Sequence, residues 1–352
     1  MSNRILYFHN GLSSFVQKDI DILKSEFDIK IHHFNVKDKK KVPLSFIFQK
    51  LFILRHLFST NTYVVQFGGY HSVLPVIFAR LFFKKCVIVL GGTDCVSFPS
   101  IHYGNFYKSL LGYFTKFSLK HAHLLLPVDE SLVHYKYNYQ PNDNEYQGYK
   151  AYIPNIKTPY TVIYNGYDAS LWTNENTEKE KNSFVTVGAN LGSRFGFTLK
   201  GIDLLFDVAT LHPTCKFYIV GGSSITNKSV PDNIFLLDPI PNNKLAQFLQ
   251  TKAFYLQLSI SEGFPNALCE AMLCKCIPIV SSVGAMPKIV GNKGYILEKK
   301  DVKYLSKIIQ YALDNNELSK LGLEVRNAIK LNYTLEKRKK ELLKSIKELV
   351  KK

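Results

Sequence analysis

The sequence predicts an α/β protein made of two domains with parallel sheets. Its 352 residues are about the length of two average domains. Short runs of β-branched and aromatic residues alternate with longer segments of helical period, which is the pattern of parallel strands joined by crossover helices. This pattern stops at residues 137–161, where Asn, Asp, Gln, Pro and Tyr dominate. We therefore expect domains at 1–165 and 166–333, with an amphipathic helix at 334–352 that packs along one face or returns to the N-terminal domain.

The expected strands place several turn-forming sequences at one edge of each sheet. In the first domain we expect strands at 4–8, 62–67, 86–90 and 122–128. Asn10-Gly11, Gly68-Gly69 and Gly91-Gly92-Thr93-Asp94 follow three of them. In the second domain we expect strands at 183–188, 216–222, 233–237, 253–259, 277–281 and 294–297, with helices at 201–211, 242–251, 266–275 and 301–314. Residues 161–168 are expected to form a short strand, and 137–161 an irregular surface segment. Ligands of doubly wound sheets bind at the carboxyl ends of the strands.

Composition excludes several classes of protein. Hydrophobic residues at 46% and charged residues at 21% are ordinary for a globular protein, which excludes a disordered or collagen-like chain. The six cysteines form no CxxC pair, so we expect reduced core thiols and a cytoplasmic protein. The N-terminus lacks the pattern of a signal peptide. The longest apolar stretch, Pro43 to Phe58, is interrupted by four polar residues and falls short of the ~18–20 residues that span a bilayer.

The net charge of +17 favours an anionic partner or reflects a lysine-rich surface. Residues 1–165 hold 19 Lys and Arg against 10 Asp and Glu, which leaves 26 against 18 for the rest of the chain. A nucleic-acid-binding protein is one alternative that this charge raises. The charge is spread over both halves, however, and no recognisable DNA- or RNA-binding motif is present.

Residues 259–291 carry the most informative pattern, a strand followed by Glu262-Gly-Phe-Pro-Asn-Ala-Leu-Cys-Glu270 and a helix. Pro265 and Asn266 are suited to opening that helix, and Asn266 to capping it. The N–H groups and positive dipole end of the helix suit a diphosphate, and Gly263 permits close backbone approach. Glu262 and Glu270 would then accept hydrogen bonds from sugar and ribose hydroxyls. The alternative is that Glu270 is a solvated helix residue and Glu262 a partner of the helix dipole.

These residues resemble the donor-site signature of retaining glycosyltransferases of family 4. Seven residues separate Glu262 from Glu270, and Ala271-Met272 and Pro278-Ile-Val-Ser-Ser-Val-Gly284 follow. The resemblance covers residues 160–300 specifically and the N-terminal half only in outline. It implies the GT-B architecture, in which two Rossmann-like domains with parallel sheets face a deep interdomain cleft. The N-terminal domain would bind the acceptor and the C-terminal domain the nucleotide-sugar.

The resemblance also implies roles for individual residues. Glu270 would bind the ribose, Glu262 the transferred sugar, and Lys200 would neutralise the diphosphate. Arg194, in the loop after Gly188, is the candidate for an arginine that the family places earlier in that loop. The remaining implied donor contacts are the first-loop Gly11, Gly188 after the first strand of the second domain, Pro239 and Ile240 near the base, and the backbone of Gly263, Phe264, Pro265, Asn266, Ala267 and Leu268.

Asp94 marks a departure from the family pattern. Many relatives have a histidine after the strand that corresponds to residues 86–90, whereas this sequence has Gly91-Gly92-Thr93-Asp94. Either Asp94 contacts the acceptor or the transferred sugar, or it is a turn or helix-cap residue. The candidate catalytic set is therefore Glu262, Lys200, Arg194 and Asp94.

The implied reaction retains the configuration at the anomeric carbon, and the departing phosphate helps to take the acceptor's proton. Stabilisation of charge on the leaving diphosphate would supply most of the catalysis. The expected donor is a UDP-sugar, with a GDP-sugar as the second choice. No metal and no cofactor are expected, because the only nominal DxD sequence, Asp19-Ile-Asp21, falls in a helix where we expect a solvated face.

The expected acceptor is a saccharide or a lipid-linked saccharide in cell-surface polysaccharide synthesis. Pro43–Phe58 and Phe106–Lys120 mix large apolar residues with lysine and arginine. They either lie on the inner face of the cell membrane or form ordinary core-facing helices. A nucleotide-sugar epimerase on the same architecture is the nearest alternative enzyme. A catalytically inactive binding module is a further alternative, against which both glutamates and Lys200 argue.

Overall fold

The computed structural model describes residues 4–35, 39–172, 177–225 and 229–351, without the side chains of Lys39 and Arg194. The chain forms two compact units. Unit 1 comprises Met1–Lys136, Tyr146–Asn165 and Glu336–Lys352, and unit 2 comprises Tyr137–Glu145 and Gly166–Leu335. Tyr137–Glu145 lies in unit 2 although it is flanked in sequence by two segments of unit 1.

Strands and helices alternate through the described residues. The strands are β1 Arg4–His9, β2 Asp28–His33, β3 Thr62–Gln66, β4 Lys85–Leu90, β5 Leu124–Pro127, β6 Tyr135–Lys136, β7 Tyr146–Gln147, β8 Glu180–Val187, β9 Lys216–Val220, β10 Ile234–Leu237, β11 Lys252–Gln257, β12 Ile277–Ser281 and β13 Tyr295–Leu297. The helices are α1 Ser14–Lys24, α2 Val42–His56, α3 Tyr70–Leu81, α4 Ser109–His121, α5 Tyr149–Tyr152, α6 Arg194–Leu199, α7 Ile202–Leu211, α8 Asn242–Gln250, α9 Asn266–Leu273, α10 Met286–Val290, α11 Val302–Leu313, α12 Leu318–Asn332 and α13 Leu335–Lys351. Most of the expected elements are present within a few residues of their expected ends.

Each unit is built on a parallel sheet. The sheet of unit 1 has the order β2-β1-β3-β4-β5, and that of unit 2 has the order β10-β9-β8-β11-β12-β13. The central strands β3, β11 and β12 are buried along their whole length, as expected for strands covered by helices on both faces. The fold-class prediction of two α/β domains with parallel sheets is confirmed.

Two local expectations were wrong. Residues 161–168 form no ladder and join one isolated bridge, Tyr167 with Thr334, while Tyr160 just before them bridges Leu125. Within 137–161 the chain forms β7 and α5 and buries Tyr139 and Tyr149, so this segment is no loose surface excursion. Tyr139 and Tyr149 account for the difference. Their rings pack in the interior, whereas the polar residues around them in the sequence predict a surface segment. The sequence analysis also missed β2 and α12.

The expectation that Asp19 lies on a solvated face was also wrong. Asp19 is 1% exposed and receives two hydrogen bonds of 2.7 Å from the guanidinium of Arg338 in α13. The same guanidinium donates to the carbonyls of Ile163 and Tyr164 at 3.0 and 2.9 Å. A bidentate arginine with its remaining donors satisfied makes such a buried pair tolerable. Within unit 1, Arg338 therefore ties α13 to α1 and to the end of the segment before Gly166. Asp21, two residues on, is exposed as expected.

Candidate functional site

The polar candidates of unit 2 lie at the point where its strand order reverses. The first strand of the unit, β8, has β9 on one side and β11 on the other. Ligands of doubly wound sheets bind at such a reversal of strand order, beyond the carboxyl ends of the strands. Gly188 follows β8, and the segment from Leu258 to Pro265 follows β11.

Close backbone packing fixes the loop after β8. A Cβ atom on Gly192 would stand 1.9 Å from the carbonyl oxygen of Ser224, and one on Gly188 would stand 2.7 Å from Leu191. Gly221 adopts φ +85°, and a Cβ there would stand 2.0 Å from the carbonyl oxygen of Gly188. Only glycine fits well at these three positions, because the loop after β8 and the loop after β9 leave no room for a side chain. The predicted donor residue Gly188 is thus part of a tight turn. The side chain of Arg194 lies outside the described part of the structure.

A second tight contact brings Lys200 to the end of β11. Lys200 is the C-cap residue of α6, and Gly201 follows with φ +68°, a left-handed conformation that favours glycine. A Cβ on Gly201 would stand 2.1 Å from the carbonyl oxygen of Leu258, and the N–H of Ile260 donates to the carbonyl of Leu199 at 2.9 Å. The turn at residues 199–201 therefore packs directly on the chain beyond β11.

Glu262 is the centre of the resulting constellation. Its Oε1 accepts hydrogen bonds from Lys200 Nζ at 2.5 Å, from Ser259 Oγ at 2.8 Å and from Gln257 Nε2 at 3.0 Å. Among the side chains that the structure describes, none donates to Oε2. The Glu262 side chain is 13% exposed and that of Lys200 27%. One carboxylate oxygen is thus held in place by three donors while the other remains available to a hydroxyl.

The donors to Glu262 are themselves positioned. Burial raises the pKa of Tyr255 well above its ordinary value, so its hydroxyl stays protonated and donates to Gln257 Oε1 at 2.9 Å. This contact orients the amide so that its Nε2 points to Ser259 and Glu262. Sequence analysis missed Gln257 and Ser259. Their signal was two polar residues at the end of an otherwise apolar buried strand.

A third loop supports the backbone of Glu262 and Gly263. Gly284, after β12, has φ +56°, and a Cβ there would stand 2.0 Å from the carbonyl oxygen of Glu262. The N–H of Ala285 donates to the carbonyl of Gly263 at 3.1 Å. The loops after β8, β11 and β12 therefore hold each other through their backbones.

Helix α9 begins where the sequence predicted but with a different cap. Pro265 occupies the N-cap position, and none of the described side chains caps the helix. The expected cap Asn266 is the first helical residue, and its Oδ1 accepts a hydrogen bond of 2.7 Å from the hydroxyl of Tyr167. The ring of Phe264 packs against Tyr333, with 5.1 Å between ring centroids. These contacts hold the start of α9, where the first N–H groups of a helix have no partner within the helix.

The remaining donor candidates of unit 2 lie on neighbouring elements. Glu270 is in α9, one helical turn beyond Asn266, and is 7% exposed. Ala267 and Leu268 belong to the first turn of the same helix. Pro239 and Ile240 lie in the loop after β10, at the edge of the sheet. The structure brings Lys200 and Glu262 into contact and places Gly263, Phe264 and Pro265 between Glu262 and α9.

In unit 1, Asp94 holds two loops together. It is 2% exposed, and its oxygens accept hydrogen bonds from the N–H groups of Gly68 at 2.9 Å, Gly92 at 3.0 Å and Gly91 at 3.2 Å. Burial raises the pKa of Asp94, while these three hydrogen bonds act to lower it. Of the two roles that the sequence left open, this geometry favours the turn residue.

A cavity of about 740 Å³ lies beside that loop in unit 1. Its walls are mostly apolar and come from the first turns of α2, α3 and α4 and from the loops after β1 and β3; they include Asn10, Val42, Pro43, Phe46, Tyr70, His71, Lys108, Leu110, Leu111 and Phe114. Gly11 is next to Asn10 and is exposed, with no described atom within 4 Å of a Cβ placed there. The cavity has the size and apolar lining of a ligand site.

No metal site and no membrane span emerge from the described residues. Within them, no group of three or more His, Cys, Asp or Glu side chains is arranged to hold a metal ion. Within the same residues, no helix combines the length and the apolar character needed to cross a bilayer.

Part of the chain matches a known protein family. Residues 174–328 match the family model described as glycosyl transferases group 1. The matched region holds Lys200, Glu262 and Glu270. Solved structures give the GT-B fold: sucrose-phosphate synthase from Thermosynechococcus elongatus is similar with a TM-score of 0.76 and 14% identity over 98% of both chains. HepE from Anabaena, in complex with UDP and glucose, is similar with a TM-score of 0.70 and 12% identity over 98% of this chain and 99% of its own.

Two curated relatives share higher identity over shorter segments. A phosphatidylinositol N-acetylglucosaminyltransferase subunit of Arabidopsis thaliana is 26% identical over 127 residues, 32% of this chain and 28% of the relative. The capsular polysaccharide biosynthesis glycosyltransferase CapH of Staphylococcus aureus is 33% identical over 138 residues, 35% of this chain and 37% of the relative. The chain therefore spans well under half the length of these curated relatives. The family match and the names of these relatives support an enzyme of the transferase class.

Proposed function

We propose that the protein is a retaining glycosyltransferase of family 4 that transfers a sugar from a nucleotide-diphosphate sugar to a saccharide or lipid-linked saccharide. The observation that carries this proposal is the contact between Lys200 and Glu262 at the strand-order reversal of unit 2. A cation and an oriented carboxylate beside the start of a helix suit a substrate with a diphosphate and a hydroxylated ring.

Each residue has a separate part in the proposed reaction. Glu262 Oε2 accepts a hydroxyl of the transferred sugar while Oε1 stays anchored by its three donors. Lys200 engages one of its three ammonium donors with Glu262 and directs the others to the diphosphate. The backbone from Gly263 to Leu268 binds the phosphate oxygens, and Glu270 binds the ribose. Arg194 and Pro239 keep the phosphate and base contacts that the resemblance implies.

The bond changes of the proposed transfer balance within donor and acceptor. The acceptor oxygen bonds to the anomeric carbon on the face from which the diphosphate departs, and its proton passes to the departing phosphate oxygen. Negative charge grows on the diphosphate as the bond breaks, and Lys200 and the start of α9 stabilise it. No metal or cofactor enters this scheme, since the charge is met by protein groups.

The choice of donor and acceptor draws on the relatives. A UDP-sugar is the proposed donor because HepE structures contain UDP and UDP-glucose, and a GDP-sugar is the second choice. The name of CapH supports a role in cell-surface polysaccharide synthesis, and the name of the Arabidopsis protein supports a lipid-borne acceptor. We place the acceptor in the apolar cavity of unit 1, and the protein in the cytoplasm at the inner face of the membrane.

A donor screen with three variants tests this proposal. Purified protein is incubated with UDP- and GDP-sugars, and release of the nucleoside diphosphate is measured. We expect turnover of one donor class, and a loss of about 10²–10³ in kcat/KM for Lys200→Ala. Glu262→Gln and Glu270→Ala should also lose activity. Lys216→Ala is the matched control, because Lys216 pairs with Glu180 at the opposite, amino end of β9.

Three outcomes would contradict the proposal. Equal turnover in all three variants would refute the site. Formation of an epimerised nucleotide-sugar without release of diphosphate would indicate an epimerase. Salt-sensitive oligonucleotide binding with no affinity for nucleotide-sugars would indicate a nucleic-acid-binding protein.

A further inference from the structure

Helix α2 carries large apolar side chains on both its inner and its outer side. Phe46 and Phe52 are half-buried and pack against Phe34 and Phe8. The buried residues of the helix are Ser45, Gln49 and Ile53. Gln49 donates to the carbonyl of His71 at 2.8 Å, and Ser45 Oγ donates to the carbonyl of Lys41 at 3.2 Å. Two of the three buried residues of α2 are thus polar.

The opposite side of α2 presents large apolar side chains to solvent. The exposed fractions are 48% for Leu44, 55% for Ile47, 57% for Phe48, 56% for Leu51 and 41% for Leu54. Their spacing of three and four residues places them on one continuous face. Phe58, just beyond the helix, is 93% exposed. We call Leu44, Ile47, Phe48, Leu51, Leu54 and Phe58 the α2 face.

An uncovered face of this kind is costly. Covering a large apolar side chain is favourable relative to leaving it in water. Contiguous apolar patches on monomeric proteins mark interaction sites. The α2 face is therefore built to be covered by another surface.

The charges around the α2 face select an anionic partner. Residues 39–93 contain eight Lys and Arg and no Asp or Glu. Lys40 and Lys41 precede the helix, and Lys50 and Arg55 lie exposed beside the apolar residues. A second copy of the chain would bring one basic region against another without a compensating acid, which is unfavourable.

We propose that the α2 face docks the protein on an anionic lipid bilayer, with α2 lying in the plane of the interface. Apolar side chains would enter the acyl boundary while the flanking lysines and Arg55 contact anionic headgroups. The inner side of α2, with its hydrogen-bonded Ser45 and Gln49 and its buried Ile53, remains on unit 1, so docking requires no rearrangement of the helix.

The same docking would present the unit 1 cavity to the membrane. Val42, Pro43 and Phe46 from the first turns of α2 line that cavity, opposite Lys108 and Phe114. Leu110 of α4 lines it too and is 61% exposed. This step rests on the proposed function: the lipid of a lipid-linked acceptor would stay in the bilayer while its saccharide enters the cavity. The docking itself does not depend on it.

Vesicle flotation tests the proposal. The protein is mixed with phosphatidylcholine vesicles with or without phosphatidylglycerol, and bound protein is measured after flotation. We expect binding to the anionic vesicles that weakens at high salt. The triple variant Ile47→Ser, Phe48→Ser, Leu51→Ser should lose at least about tenfold in binding. These three residues do not line the cavity, so turnover of a soluble donor should be unchanged.

A matched triple variant controls for loss of apolar surface in general. Leu331→Ser, Tyr311→Ser and Leu323→Ser change side chains of unit 2 that are 75%, 71% and 50% exposed, and vesicle binding should stay at the wild-type level. The proposal fails if the wild-type protein ignores anionic vesicles or if the α2 variant binds them as well. It also fails if the α2 variant abolishes a dimer seen by sedimentation. Donor turnover without vesicle binding would refute docking alone, and vesicle binding without turnover would refute only the proposed transfer.

Discussion

Unit 1 and unit 2 are both parallel α/β layers, but the loops beyond their strands carry different chemistry. In unit 2, Lys200, Gln257 and Ser259 converge on Glu262 and leave one carboxylate oxygen available. In unit 1 the candidate acid, Asp94, is enclosed, and its oxygens accept hydrogen bonds from Gly68, Gly91 and Gly92. A cavity with apolar walls lies beside it. The same architecture therefore offers a polar site for a charged ligand in one unit and an apolar one in the other.

The two units also differ in the titratable groups whose pKa values are shifted. Burial lowers the pKa of His71 in unit 1 to about 4. Burial and the charges of Arg80 and Lys85 lower the pKa of His123 to about 4. In unit 2, burial acts to raise the pKa of Glu180, but hydrogen bonds from Lys252, Lys216 and Tyr218 outweigh it and hold the pKa at about 2. Unit 1 also holds the buried Asp19–Arg338 pair, and burial lowers the pKa of His212 in unit 2. The histidines with a lowered pKa are nevertheless concentrated in unit 1, at His9, His32, His56, His71 and His123.

The largest change in stability should come from acid, and the two units should unfold at different pH values. The histidines of unit 1 have folded-state pKa values below the unfolded value of 6.5. The unfolded chain therefore gains protons first, and stability is lost as the pH falls from about 6.5 towards 4, by up to about 3 kcal/mol for a buried histidine. Glu180 loses its contribution only as the pH falls from its ordinary pKa of 4.5 towards 2. Unit 1 should unfold at the higher pH.

The single tryptophan provides the measurement. Trp172 is in unit 2 and is buried. In an acid titration, far-ultraviolet circular dichroism should fall before Trp172 fluorescence changes. His123→Gln should move the first transition to lower pH, because neutral His123 Nδ1 accepts a hydrogen bond from the Cys86 N–H. Coincident transitions by both probes would argue against a difference between the units.

A more modest effect should follow from one added methyl group in each unit. Gly201→Ala in unit 2 should destabilise the protein by about 1–3 kcal/mol, because φ is positive and the new Cβ meets the Leu258 carbonyl. Gly11→Ala in unit 1 should change stability by less than about 0.5 kcal/mol, since no described atom lies within 4 Å. Chemical denaturation of both variants measures this. Equal losses of stability in the two variants would show that the loops of unit 2 are not more tightly packed than those of unit 1.

The smallest of these changes in stability should come from a substitution at the start of α9. Tyr167→Phe removes the hydroxyl that donates to Asn266 and should cost about 0.5–1.5 kcal/mol. We expect a few-fold rise in donor KM with little change in kcat, because the hydroxyl positions the helix. Asn266→Ala should match it, and the double variant should be no worse than either alone. Additive losses would show that the two residues act separately. Tyr311→Phe, on the exposed face of α11, is the control.

Sequence reasoning predicted most of the fold and half of the candidate site. The apolar runs located β3, β4, β11 and β12, and Pro265 with Asn266 located the start of α9 within one residue. The hydrogen bonds of Asn266 were not predictable, since its partner Tyr167 lies 99 residues away. Gln257 and Ser259 were missed because their role depends on the path of the chain after β11, which brings the Glu262 side chain back to the end of that strand.

Local sequence was enough to specify a pair of parallel α/β units with a glutamate-bearing loop and helix in the second. These features follow from neighbours along the chain, which set periodicity, turn chemistry and helix starts. The pairing of Lys200 with Glu262 across 62 residues, and the burial of Asp19 against Arg338 across 319, arise when the chain folds. Such pairs depend on strand order and on the return of the final helix, and an ionisable side chain carries no local signal of the partner that folding will bring to it.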